Sequence, residues 1–102
     1  MVPGRSKRCL VAVDAPRGPL LCPVVLPEEA TVAVALDEAR HQLDDGTLEP
    51  PVDWEQGAVG IWGLRCARST VPADGDRIEL YRPLAADPRQ RRRQRVRTGR
   101  SR

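Results

Sequence analysis

The side chains with reactive or ligating chemistry are Cys9, Cys22, Cys66, the single histidine His41, a few paired acids and a run of arginines. Zinc through thiolates and imidazole needs four ligands at close spacing, and a plant-type iron–sulfur cluster needs four cysteines. The three thiols here are too few for a cluster and too spread for either centre. Their odd number also argues against a secreted disulfide framework. With a hairpin turning near Arg17-Gly18, Cys22 falls opposite Val13 and Cys9 opposite Leu26. The thiols are then roughly 13 Å apart along the strands, beyond the ~7 Å between Cα atoms that a disulfide allows. Reduced, partly buried thiols in a cytoplasmic protein are expected.

His41 has no serine or cysteine placed to complete a nucleophilic triad and reads as a surface residue of a helix. Asp44-Asp45 and Asp74/Asp76 suit helix-end and turn chemistry better than acid–base catalysis. Gly60 and Gly63 lack the lysine and the spacing of a phosphate loop. No catalytic residue, no cofactor and no metal site is expected, so the reading is that of a non-enzyme.

Charge is segregated along the chain. Of 102 residues, 17 are Lys or Arg and 14 are Asp or Glu, for a net charge of +3. Residues 87–102 hold eight arginines and one acid, a charge of +7. Residues 1–86 keep nine basic and thirteen acidic side chains, a charge of −4. An acidic globule with a basic appendage is not a domain-wide nucleic-acid surface. The longest apolar run, Leu20–Leu26, is broken by Pro23 and falls far short of the ~20 residues that span a bilayer. The N-terminal residues show no signal-peptide pattern.

The elements that position these residues follow from periodicity. After a polar leader over 1–8, Cys9, Val11 and Val13 alternate, and beyond Pro16-Arg17-Gly18-Pro19 so do Leu20, Cys22, Val24 and Leu26. This predicts a β-hairpin with one apolar side. Pro23, which has no N–H, must face outward on an edge or a bulge. Thr31 can cap a helix whose apolar stripe is Val32, Ala35, Leu36, Ala39 and Leu43, leaving Asp37, Glu38, Arg40 and His41 wet. Residues 44–57 read as a loop with five acids and no Lys or Arg. A buried strand is expected over Ala58–Trp62, a short return strand over Leu64–Cys66, and a last strand after the turn Val71–Asp76, with Ile78 and Leu80 facing the core.

That order predicts an α+β fold of the β-grasp kind. A mixed four- to five-stranded sheet packs on one main helix, and the first and last strands pair in parallel. The divisions are 1–8, a β-grasp domain over 9–86, and an Arg-rich tail over 87–102, expected to be disordered.

Val59–Gly63, Asp74–Leu84, Asp87-Pro88 and Arg91–Arg93, with Thr31-Val32 opening the helix, resemble the RnfH family of small bacterial ubiquitin-like proteins over about residues 8–95. The long acidic loop around Trp54 and the extended Arg-rich end depart from the family pattern. The resemblance implies a ubiquitin-like β-grasp fold and a protein partner. Members are often encoded beside a START-like protein, in an arrangement described as a toxin–antitoxin pair with this family as antitoxin. A sulfur-carrier role is disfavoured, because Thr98-Gly99-Arg100 is not the Gly-Gly end such carriers use.

Two surfaces follow as candidates. Trp62 either joins the core or shares the open sheet face with Tyr81; in the second case Trp62, Tyr81, Arg82, Pro83 and Leu84 form a partner-binding surface. Arg89, Arg91, Arg92, Arg93, Arg95 and Arg97 are either a solvated tail or a grip on a polyanion such as RNA.

Overall fold

A computed structural model describes residues 5–82. β1 (Ser6–Val13) and β2 (Leu20–Pro27) form the hairpin, followed by α1 (Val32–Leu43), β3 (Val59–Ile61), β4 (Leu64–Cys66) and β5 (Arg77–Leu80). The five strands lie in the order β2-β1-β5-β3-β4, with β1 and β5 parallel and the other pairs antiparallel. The β-grasp expectation therefore holds, with five strands.

The hairpin register differs from the expected one by two residues. Cys9 pairs with Val24 and Val11 with Cys22, so the two thiols sit two positions apart instead of four. The reason lies in the turn. Gly18 donates its amide to the Ala15 carbonyl at 3.1 Å, which puts Pro16-Arg17 at the tip. Proline, with φ already fixed, takes the first central position and glycine the last. All three cysteines are free thiols.

β1 also starts earlier than its alternation suggested. Lys7 and Arg8 belong to the strand rather than to a leader.

Thr31 caps α1 by accepting the Val34 amide at 3.4 Å, which satisfies one of the free donors of the first turn. The helix lays Val32, Ala35, Leu36 and Ala39 against the sheet, where Val11, Val13, Val24, Ile78 and Leu80 meet them. Asp37, Glu38, Arg40 and His41 are exposed, as the stripe required. The core is aliphatic, with one addition from the acidic loop: Trp54 is buried in it. Its indole N–H donates to Asp44 Oδ2 at 2.6 Å. That bond, joined by the Gly46 amide, holds the Asp44 carboxyl below its ordinary pKa. Arg68 closes the loop from the other side, donating to the carbonyls of Trp54 and Gly57 at 2.7 Å each. A segment rich in acid and proline is thus held by its own tryptophan.

Candidate binding surface on the open sheet face

The face of the sheet opposite α1 carries a row of side chains from β5. Arg77, Glu79 and Tyr81 alternate with the buried Ile78 and Leu80, so all three point away from the helix. Glu79 is the hub. It accepts from the Tyr81 hydroxyl at 2.7 Å, from Arg77 Nε at 3.0 Å and from the Gly63 amide at 2.8 Å. Partial burial opposes the charge on Glu79, but these three donors outweigh it and hold the carboxyl below its usual range. The same contact acts the other way on Tyr81. Burial, then the neighbouring carboxylate, push its phenol up to about 12.

The ring of Tyr81 explains Gly60. A Cβ at residue 60 would collide with the Tyr81 hydroxyl and would lie 2.8 Å from the Leu64 carbonyl oxygen. Glycine leaves the room that the Tyr81 hydroxyl occupies beside β3.

At the end of this row sits Trp62. The expected strand Ala58–Trp62 is shorter, Val59–Ile61, because Trp62 and Gly63 form the two-residue turn to β4. Their φ angles, 50° and 83°, are both positive, as a type I′ hairpin turn requires. Such a turn favours Asn or Gly at its first central position; a bulky L-residue there costs about 1–2 kcal/mol. The core reading of Trp62 is overturned, since the residue is 62% exposed. Its indole N–H reaches Asp76 Oδ1 at 3.2 Å. The neighbouring Leu64 is exposed as well.

The expected surface residues are spread along β5. Trp62 donates its backbone amide to the Arg77 carbonyl, whereas Tyr81 lies four residues further along, roughly 13 Å of strand away. Arg77 and Glu79 stand between the two residues along β5, so the two aromatics are not brought together. Arg82 is at the far end, with Nε 3.5 Å from Asp14 Oδ2. Pro83, Leu84 and the arginines 89, 91, 92, 93, 95 and 97 lie outside the described residues.

Several features were missed from the sequence. Leu21 and Val25 are exposed on the open face of β2, on either side of Pro23. The signal was the run Leu20–Leu26, which has no polar or charged residue on either side of Pro23 and so makes both faces of one strand apolar. β2 is also an edge strand, with Pro23 opposite Leu10. Leu10 sends its amide to Asp76 across the sheet, so positions 21, 23, 25 and 27 of β2 turn their amides outward. Two of those four are proline, which blunts the edge against further strand pairing.

Lys7 is the second omission. It is 3% exposed, and its ammonium donates to the carbonyls of Glu28, Ala30 and Pro72 at 2.6, 2.8 and 2.7 Å. All three protons are used, which makes burial of the charge tolerable. It ties the entry to α1 to the loop before β5.

The potential ligating groups stay apart. Cys9 donates to the Ala73 carbonyl at 3.5 Å and Cys22 to Gln42 Oε1 at 3.2 Å, with burial raising both thiols. His41 Nδ1 lies 2.9 Å from the Asp37 carbonyl oxygen on the exposed helix face. Asp74 and Asp76 accept the amides of Arg8 and Ala73 at 2.8 Å each, which is turn chemistry. Among the described residues, no three His, Cys, Asp or Glu side chains converge as a metal site. No helix among them is long and apolar enough to cross a membrane.

Comparison with known proteins agrees with this geometry. The family model described as RnfH family Ubiquitin matches residues 8–95. Protein RnfH of Escherichia coli O45:K1 is 41% identical over 86 residues, covering 84% of this chain and 85% of that protein. Protein RnfH of Pseudoalteromonas atlantica is 40% identical over 78 residues, covering 70% and 72%. The Coxiella burnetii protein of that name is 35% identical over 95 residues, covering 91% and 88%. With a five-stranded β-grasp sheet over one helix and a family match spanning most of its length, the chain belongs to the RnfH family of ubiquitin-like proteins.

Proposed function

We propose that this chain is a non-enzymatic protein-binding module of the cytoplasm, acting as the antitoxin-like partner of a START-like toxin. The observation that carries the binding reading is Trp62. A large aromatic is held at φ 50° and left 62% exposed, with a single exposed hydrogen bond to Asp76 as its side chain's polar tie to the monomer. Exposed tryptophans are the residues that most often anchor protein interfaces. The partner surface is the open face around Trp62 and Tyr81, continued by Arg82, Pro83 and Leu84. Its mechanism is masking: an exposed aromatic anchor that the partner buries, flanked by the Arg77–Glu79 polar row, with no covalent step and no cofactor. The toxin assignment rests on the family resemblance.

Titration of the full chain with the START-like protein encoded in the same genome tests the reading. Saturable binding that changes little between 50 and 300 mM salt, roughly the signature of an anchor-driven interface, is expected. Absence of binding contradicts the toxin assignment.

The charge segregation favours a second reading, an RNA- or ribosome-associated protein working through Arg89, Arg91, Arg92, Arg93, Arg95 and Arg97. That function predicts affinity for RNA that collapses with salt and disappears when residues 87–102 are removed.

A further inference from the structure

The two edges of the sheet are unequal. β2 forms one edge and sets Pro23 and Pro27 at outward positions, where neither can donate. β4 forms the other edge, and no strand lies beyond it among the described residues. Which of its backbone groups face outward follows from β3. Trp62 donates its amide to the Arg77 carbonyl at 3.0 Å, and Tyr81 donates to the Ala58 carbonyl at 2.9 Å. The direction of these bonds alternates residue by residue along an antiparallel strand. Gly60, midway between Ala58 and Trp62, therefore also bonds towards β5, where it faces Glu79. Val59 and Ile61 are left to bond Cys66 and Leu64. Arg65, opposite Gly60, turns its amide and carbonyl away from β3, to the open edge.

The side chains add a pattern to that edge. Arg65 is exposed and shares the open face with Gly60 and Glu79. Its charge lies near enough to Tyr81 to oppose the rise of the phenol. Among the described residues it enters no ion pair. Leu64 and Cys66, opposite Ile61 and Val59, lie on the helix side of the sheet. Leu64 is 75% exposed, because nothing beyond β4 covers it among the described residues.

We propose that the β4 edge takes an extended segment of a partner protein as a sixth, antiparallel strand, with an acidic residue opposite Arg65 and an apolar residue on either side of that acid. The amide and carbonyl of Arg65 supply the main-chain bonds of such an addition. An acid directly across pairs with the guanidinium on the open face, and its two apolar neighbours cover Leu64 and Cys66 on the other. β4 has three residues, and Gly63, at φ 83°, ends its extended backbone. So short an edge makes few main-chain bonds, which leaves selection to the side-chain pattern. Charge also disfavours a second copy of this chain as the occupant. A two-fold pairing of β4 centred on Arg65 sets two arginines directly opposite each other. This surface is the edge of the sheet rather than its open face, and it stands whether or not Trp62 anchors a partner.

Amide NMR of the full chain, titrated with the capped peptide Thr-Val-Glu-Val-Thr, tests this. The largest shifts are expected at Arg65 and from Leu64 to Ala67, with the amides of Leu21 and Val25 on the opposite edge unmoved. Lysine in place of the peptide's glutamate is expected to weaken binding about fivefold to tenfold. Arg65→Glu is expected to reverse that preference, which also shows that the variant folds. Trp62→Asn is expected to leave the preference as it is, so this edge and the Trp62 anchor fail separately. Shifts that are absent, centred away from β4, or equal for the glutamate and lysine peptides overturn the proposal. Arg65 shifts on dilution of the protein alone overturn it in favour of a second copy.

Discussion

On the helix side of the sheet, Val11, Ile78 and Leu36 are sealed from water, whereas on the opposite side Glu79 is held by hydrogen bonds from Tyr81, Arg77 and the Gly63 amide. The same strands supply both faces. Alternation sends Ile78 and Leu80 one way and Arg77, Glu79 and Tyr81 the other. The helix side stabilises by area removed from water and tolerates no exposed ligand chemistry. On the open side, the polar row fixes side-chain positions, and the edge strand leaves apolar surface, at Leu21 and Val25, uncovered. On the proposed reading, stability and recognition fall on two faces of one sheet, and substitutions sort by face.

The largest effect belongs to the sealed side. Leu36→Ala removes a leucine that is 2% exposed and is expected to lower unfolding free energy by about 3 kcal/mol in urea titration. A loss under 1 kcal/mol would show that α1 is not clamped on the sheet. Lys7→Met comes next. It keeps the stem but strands three carbonyls, for an expected loss of about 2 kcal/mol. A surface lysine would lose almost nothing in the same measurement. Gly60→Ala acts on the open face, opposite Glu79. It forces a Cβ against the Leu64 carbonyl and the Tyr81 hydroxyl, so about 1–2 kcal/mol of destabilisation is expected, together with a perturbed Tyr81 signal.

A smaller and more local effect concerns the open side alone. The chain has one tyrosine, so phenolate absorbance reports Tyr81 directly. Its midpoint is expected near 12 in the folded protein, against about 10 when unfolded, and Glu79→Gln should bring the folded value down. Because the folded value is the higher one, this group's contribution to stability is complete below about pH 10 and is lost as pH rises toward 12. Glu79 has the opposite sign. Its folded value is depressed, so its contribution is present above the ordinary glutamate range and is lost as pH falls through the folded value. A folded-state tyrosine midpoint of 10 would mean that the Glu79 hub does not form.

The sealed face was legible in the sequence to nearly every residue, because burial on one side of a strand or helix leaves a strict period. Val32, Ala35, Leu36 and Ala39, and Ile78 with Leu80, declared themselves that way. What the sequence concealed are contacts between segments with no period. The tip at Pro16-Arg17 instead of Arg17-Gly18 moved the hairpin register by two. Lys7 looked like a polar leader because three distant carbonyls, not its neighbours, make it a core residue. Trp54 sits in a loop whose acids and prolines suggested water, and only its bond to Asp44 reveals why it is buried. On the open face, Trp62, Tyr81 and Arg82 were singled out from the sequence, but alternation alone could not show that Trp62 sits in a left-handed turn.

The claim that the open face is kept for recognition meets its most direct measurement in Trp62→Asn. Asparagine suits the first central position of this turn, so the unfolding midpoint of the variant should equal or slightly exceed that of the parent. Binding to the START-like protein, measured by calorimetry on the same two samples, should fall at least about tenfold, the loss of ~1.4 kcal/mol or more that removal of an anchoring aromatic brings. A variant that binds as tightly as the parent with its fold intact would contradict the assignment of Trp62 and of the surface built around it.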